Sequence, residues 1–472
     1  MRKKKVKHII ENAVVEGFAA EGNAIIKQED KIIFVPKVAP GDIIDAEVYK
    51  QKHSFCLAKP LQIKSFSDKR VSLKCPHFEN CGGCSWQMLD YEWQKKYKHQ
   101  QVIDNLERIG GISCKDISFI EGSDEIYYYR NKLEFTFSSR AWKKDFVKTE
   151  LDEPALGFHI SGFYDKVLNI EHCILQVDIS DKIRNFLRSY TLEHNIPYYN
   201  IKEHTGVMRN LIIRTTQKED LMVVAVFARE EKNVINNVMS ALEKEFPQIT
   251  SLQYCVNTKL NDSLADQEFI VFKGKDHITE YMPRFNTNQK EVLKFKIRPK
   301  TFYQTNAPQA LKLYTFAAQF AEIRASDIIY DLYTGTGTIA NFIADKAQKV
   351  VGIEYVEDAV EDAKINSAEN NINNTVFYAG DMAKVLNEDF IKDNTPPDII
   401  ITDPPRNGMA EQVIKQILNT SARRIVYISC NPATQARDLK LLSSKYKVTK
   451  IQPVDMFPHT HHIENIVALD RI

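Results

Sequence analysis

Long apolar runs are missing from this chain: no window holds 18 or more apolar residues without charge, so no helical membrane span is available. Cysteine is also scarce, and eight in 472 residues are too few for a disulfide scaffold, which points to a reducing, cytoplasmic setting. Net charge is nearly absent at +1, and no segment is biased enough in composition to stay disordered or to build a filament. There is no internal repeat. The opening Met1-Arg2-Lys3-Lys4-Lys5-Val6-Lys7-His8 has the basic character of a signal-peptide start, but the apolar run after it breaks at Glu11, Asn12 and Glu16, so it is not read as an export signal.

What is present is ordinary globular material, 43% hydrophobic and 26% charged, in a length that argues for about three domains at roughly 150 residues each. The balanced charge hides an asymmetry: residues 1–150 carry 26 basic and 21 acidic side chains, the remainder 37 and 41. Ordinary surface variation and a front end facing a polyanion both fit that difference.

Up to about Phe66, short β-branched runs such as Ile32-Ile33-Phe34-Val35 and Ile43 to Val48 alternate with the turn stretches Gln28-Glu29-Asp30 and Ala39-Pro40-Gly41-Asp42. This predicts a small closed, OB-like β-barrel over 1–67, either a nucleic-acid-binding module or a structural cap. Residues 68–296 read as an α+β domain: a cysteine run, one helix in which Trp86, Leu89, Trp93, Tyr97, Ile103, Leu106 and Ile109 share a face, then strand-like runs at Lys132 to Ser138, Asn210 to Thr216 and Leu221 to Ala228. From 297 to 472 strands, turns and helices alternate, with strands at Asp327 to Leu332, Lys349 to Glu354, Thr375 to Ala379, Asp398 to Thr402 and Arg424 to Ser429. That is the pattern of a doubly wound, Rossmann-like parallel sheet, so the fold class is multidomain α/β.

The chemistry gathers at the ends of those strands. Asp331-Leu332-Tyr333-Thr334-Gly335-Thr336-Gly337 follows the first strand and opens a helix, with glycines that let backbone approach a ligand. Gly335, Gly337 and Ala340 also fit a dinucleotide fingerprint, which leaves a nicotinamide or flavin oxidoreductase as an alternative. Glu354, ending the next strand, can accept ribose hydroxyls; Asp381 ends the third strand, and Asp403-Pro404-Pro405-Arg406 ends the fourth. Three acids along one edge, with no base placed for a pyrophosphate, suit a nucleoside bearing a sulfonium cation: S-adenosylmethionine. Cys430, in Ser429-Cys430-Asn431-Pro432, puts a thiol at the same edge, and Glu464, in His459-Thr460-His461-His462-Ile463-Glu464, can return a carboxylate to it. A thiol and a carboxylate are what pyrimidine C5 methylation needs, one to add at C6 and one to remove the C5 proton. The three histidines resemble a metal site, although loop polarity explains them more plainly. Cys75, Cys81 and Cys84 stand in a C-x5-C-x2-C run, with Cys173 available as a fourth thiolate; four cysteines without two short pairs fit a 4Fe-4S cluster better than zinc.

The cysteine run, Phe302-Tyr303-Gln304-Thr305-Asn306, the Asp331–Gly337 turn, Asp403-Pro404-Pro405-Arg406, Ser429-Cys430-Asn431-Pro432 and His462-Ile463-Glu464 occur in this order along the whole chain. Together they resemble the RNA uracil-5-methyltransferase family, in particular its members with an N-terminal TRAM barrel and an iron-sulfur cluster. The resemblance implies Cys430 as nucleophile and Glu464 as base, with Gln304, Tyr333, Glu354 and Asp403 contacting S-adenosylmethionine and Asp381 a further contact where relatives vary. It also implies Phe302 beside the target uracil and Cys75, Cys81, Cys84 and Cys173 on the cluster. The implied partner is RNA, with large-subunit ribosomal RNA favoured and transfer RNA the alternative, and the enzyme is expected to be a cytoplasmic monomer. A catalytically silent RNA-binding protein is the remaining alternative.

Overall fold

The computed structural model describes residues 8–28, 31–143, 153–160, 162–285 and 291–472. The basic start up to Lys7 and two of the three residues of the Gln28–Asp30 turn lie outside the described residues. Among the described residues, no helix is long and apolar enough to cross a membrane.

Residues up to Ser65 form a six-stranded sheet around a core of Ile10, Val15, Ala24, Ile26, Ile33, Val35, Ile44 and Ala58. The run His8–Phe18 joins both of its edges: His8–Val14 pairs with Ile43–Gln51, whereas Gly17–Phe18 pairs with Ala24–Gln28.

The cysteine run that follows has no regular structure. Trp86 and Leu89 have helical spacing but precede the helix, which spans Tyr91–Arg108 and begins where the Asp90 side chain accepts from the Glu92 amide. Instead they pack with Ala39, Phe78 and Met88 in a small core that also receives Phe18, so the N-terminal sheet and the cysteine segment share apolar contacts. The Trp86 indole N–H donates to the Gly22 carbonyl at 3.0 Å.

The middle of the chain forms a seven-stranded, mostly antiparallel sheet, with the helices Asp178–Glu193 and Lys232–Glu245 packed on it. A hairpin, Ile278–Pro283 with Val292–Ile297, lies beyond that sheet and buries Met282, Leu293, Phe295 and Ile297 in the same core as the helix Ala307–Ala321.

The C-terminal sheet is ordered Thr375–Ala379, Lys349–Glu354, Ile328–Leu332, Ile399–Thr402, Arg424–Ser429, Glu464–Arg471, Tyr446–Val454. The first five strands are parallel, so their carboxyl ends share one edge. Glu464–Arg471 runs antiparallel to both of its neighbours, so Tyr446–Val454 again points the same way as the first five, and one reversed strand is added to the five parallel strands read from sequence. The chain overshoots to the outer position and returns between Arg424–Ser429 and Tyr446–Val454. Glu464 thereby starts its strand at the edge where the parallel strands end.

Candidate active site

Two capped helices set the positions of two motifs. Asn306 accepts from the Gln309 amide and starts the helix Ala307–Ala321, with proline in its first turn; Asn431 accepts from the Ala433 amide and starts Pro432–Leu442 in the same way. Gln304 and Cys430 therefore precede fixed helix starts at the carboxyl edge of the sheet. The register pairs Ser429 with Asn465, and Cys430 and Glu464 are the next residues outward, with the Glu464 carboxyl close enough to act on the Cys430 thiol. Beneath them Gln435 donates to the backbone carbonyls of Tyr427 (2.9 Å) and Asn465 (3.1 Å) and accepts from the Asn465 side-chain Nδ2 (2.8 Å), stapling the two strand ends together.

The electrostatics of this edge are those of crowded acids. Asp331, fully buried and accepting from the Thr334 hydroxyl at 2.5 Å, is pushed up to about 7 by desolvation and the nearby Glu354. Desolvation and Asp331 raise Asp403 to about 7. Glu464 is held well above the usual carboxylate range by burial and by Asp403, with Arg406 opposing. The Cys430 thiol is pushed up to about 11 by burial, Glu464 and Asp403, and Arg406 again pulls the other way. A low-dielectric pocket of carboxyls holds protons until a cation enters it. Glu464 is therefore not the freely ionised base that a reference pKa of about 4.3 suggests.

Glu354 spans the glycine turn, accepting from the Gly335 amide at 3.1 Å and the Val356 amide at 3.0 Å. Gly337 has φ +71°, and a Cβ there would stand 2.9 Å from the Ala363 Cβ; at Gly335 (φ +55°) a Cβ would meet open space. The turn thus needs glycine twice, once for conformation and room and once for conformation alone. Tyr333, half-buried with φ +64°, feels Asp438, Asp381 and Glu354. Asp381 is exposed, and its side chain caps the short helix Met382–Val385 through the Ala383 amide. Gln304 is buried beside Tyr314, whose hydroxyl also senses Asp403, Glu464 and Asp331. Phe302 is 68% exposed between buried Thr301 and Tyr303, an open aromatic face.

Asp331, Tyr314 and Arg406 belong to this cluster without having been assigned from sequence. Asp331 and Arg406 stood inside recognised motifs, and their charge was the available signal. Tyr314, on the buried face of its helix, had none.

Cys75, Cys81, Cys84 and Cys173 line one cavity of about 480 Å³, together with Phe78, Arg130 and Leu133. Asp181 accepts from the Cys173 amide and pairs with His172 and Arg184, and Lys37 of the N-terminal sheet donates to the carbonyls of Phe78 and Cys81. Among the described residues, no three His, Cys, Asp or Glu side chains close on a single ion. In the histidine triplet, His459 stacks on Tyr127 with ring centres 4.6 Å apart, and the rings of His461 and His462 lie 4.2 Å apart.

Comparison with known proteins agrees with this geometry. The family model described as tRNA (Uracil-5-)-methyltransferase matches residues 212–472. Proteins named uncharacterized RNA methyltransferase from Bacteroides thetaiotaomicron and Porphyromonas gingivalis are 49% and 48% identical, covering 96% and 97% of this chain and 99% of each relative. The crystal structure of Pyrococcus abyssi tRNA (uracil-54, C5)-methyltransferase in complex with S-adenosyl-L-homocysteine superposes with a TM-score of 0.74 at 27% identity, over 97% of this chain and 99% of that one. This chain belongs to the RNA uracil-5-methyltransferase family and is an enzyme of that class.

Proposed function

We propose that the enzyme methylates carbon 5 of a uridine in large-subunit ribosomal RNA, with Cys430 adding to carbon 6 and Glu464 removing the carbon 5 proton. The closeness of Cys430 and Glu464 one step beyond the Ser429–Asn465 pair, with Asp403 and Arg406 acting on both, carries the chemical part of this reading; the ribosomal substrate follows the family resemblance. Gln304, Tyr333, Glu354 and Asp403 line the methyl donor, Asp381 borders it, and exposed Phe302 meets the target base. The transfer RNA reading draws support from the Pyrococcus abyssi likeness, which spans 97% of the chain. Mass mapping of ribosomal and transfer RNA from a strain lacking the protein decides between them: loss of one 5-methyluridine from 23S-type RNA is expected, and loss from transfer RNA alone would overturn the ribosomal assignment.

The acid cluster makes donor binding depend on pH. Asp331 and Asp403, at about 7, hold protons at pH 6 and lose them by pH 8. A sulfonium is stabilised by the ionised forms, so S-adenosylmethionine binds more tightly as pH rises from about 6 to 8 and releases protons on binding. S-adenosylhomocysteine has no sulfonium charge and is expected to show little of this slope. Calorimetry in buffers of different ionisation enthalpy checks it, and equal slopes for the two ligands would remove the carboxyl cluster from donor binding.

The four cysteines around one cavity suit a 4Fe-4S cluster, because thiolates spread around a space of this size surround a polynuclear group instead of meeting at one ion. Cys75, Cys81, Cys84 and Cys173 would hold it, and bound there it would cross-link the cysteine segment to the central sheet. Anaerobically purified protein is expected to be brown, and Cys81→Ser to lose colour and iron together. Stoichiometric zinc without iron in the wild type would sink the cluster. The N-terminal sheet, on the basic side of the chain, is proposed as the RNA-holding TRAM barrel of a cytoplasmic monomer.

A further inference from the structure

The loop that delivers Glu464 is tied down far from the sheet edge. Residues 455–459 are held from four directions. Lys98 donates to Asp455 (2.6 Å, both side chains fully buried) and to the Phe457 carbonyl (3.1 Å). The Tyr129 hydroxyl donates to the Pro458 carbonyl at 3.0 Å, and Asn306 donates to the Met456 carbonyl at 3.0 Å. The fourth tie is Gln94, fully buried on the helix Tyr91–Arg108.

Its amide orientation follows from its partners. Gln94 Oε1 accepts from the His459 backbone N–H at 2.8 Å, and Nε2 donates to the Leu89 carbonyl at 2.8 Å and the Trp86 carbonyl at 3.2 Å. The same Nε2 lies 3.2 Å from His459 Nδ1. Burial keeps the His459 imidazole neutral at ordinary pH, so Nδ1 is available as an acceptor. The His459 carbonyl in turn accepts from the Ser85 and Trp86 amides at 2.8 and 3.0 Å. His459 has φ +66°, a left-handed conformation for a side chain with a Cβ, and it persists where the surroundings over-determine it. From there the chain runs through Thr460, whose hydroxyl accepts from the His462 amide, to His462, whose Nδ1 lies 3.3 Å from an Arg406 guanidinium nitrogen. Arg406 is the cation that faces both Cys430 and Glu464.

We propose that Gln94 is a positioning residue for the last step of the reaction: it clamps His459 to the segment just after the cysteine run and so fixes the path of the loop that presents Glu464. This rests on Glu464 as the base. Its consequence is that the cysteine-bearing segment, which donates no group to the reacting atoms, sets how well the carbon 5 proton is removed. Addition and methyl transfer use Cys430, which is positioned by the Asn431 cap of the following helix and not by the clamped loop. Loosening the clamp therefore slows elimination selectively and lets the covalent enzyme–RNA adduct accumulate.

The test uses full-length enzyme with methyl donor and the RNA identified by mass mapping. Gln94→Met keeps length and volume while losing all four contacts, and His459→Asn keeps a residue that tolerates the left-handed backbone while losing the ring acceptor. Each is expected to raise the adduct fraction on a denaturing gel by roughly tenfold or more, because misplacing a catalytic group by about 1 Å costs up to about a hundredfold, with S-adenosylmethionine affinity unchanged. A purely structural role would lower thermal stability and all steps together without accumulating adduct. Should Gln94→Met not fold, His459→Asn decides. Adduct accumulation in Glu464→Gln but in neither clamp variant would overturn the proposal, whereas its absence in Glu464→Gln itself would overturn the base assignment and the proposal that rests on it.

Discussion

Replacing Cys430 by alanine is expected to lower methylation on the order of 10⁶-fold, the scale seen when a covalent nucleophile is removed, and to leave no gel-stable enzyme–RNA complex. Carbon 5 of uracil is too poor a nucleophile to attack a methyl group until a thiolate adds to carbon 6 and pushes electron density onto carbon 5. Cys430 does not stand ready as a thiolate. With its pKa pushed up to about 11 by burial, Glu464 and Asp403, it is ionised to roughly one part in 10⁴ at pH 7. Arg406 and an incoming sulfonium cation both act against that shift, so proton loss and donor binding are coupled. The substitution is gentle on the fold: Cys430 is half-buried, and the neighbouring Asn431 keeps its cap on the following helix. S-adenosylmethionine affinity should therefore change little, which separates lost chemistry from lost binding. Methyl transfer within about tenfold of wild type would remove Cys430 from the nucleophile role.

Much of the site was legible because its residues sit at strand ends, where a short apolar run followed by glycine or an acid marks both the element and its functional tip. Lys349–Glu354, Thr375–Ala379 and Arg424–Ser429 have the boundaries that the alternation predicts. Inserting Glu464–Arg471 between two earlier strands was not legible, because no local pattern records which neighbour a strand will pair with. Yet that insertion is what turns Glu464 from a distant carboxylate into the partner of Cys430. Trp86 and Leu89 misled for a related reason: their spacing fits a helix, but burial against Phe18 and Phe78 holds them in a loop, and the helix waits for Asp90. The protonation of the acids was out of reach altogether, since it depends on Asp331, Asp403 and Glu464 being brought together by different strands.

Changing Glu464 to glutamine is expected to have the opposite signature: methyl transfer proceeds, elimination stalls by about 10²–10⁴-fold as for loss of a general base, and methylated RNA stays attached to Cys430. The glutamine is nearly isosteric, so the strand that begins at residue 464 and its register with Arg424–Ser429 should persist. The raised pKa of Glu464 suits the order of events. While the sulfonium is present, its charge favours the ionised carboxylate; once the methyl group has moved, the thioether left behind is neutral, and burial beside Asp403 again favours the protonated form. Glu464 thus becomes most basic at the stage when the proton on carbon 5 must leave. Glutamine offers a similar shape with no basic oxygen, so the adduct waits for water, which the buried position of residue 464, 5% exposed, keeps scarce. A denaturing gel with labelled methyl donor distinguishes the cases: a slow-migrating band carrying label is expected for Glu464→Gln and none for Cys430→Ala. Normal turnover by the glutamine variant would pass the base role to another group, and Asp403, whose charge acts on both Cys430 and Glu464, would be the first to test.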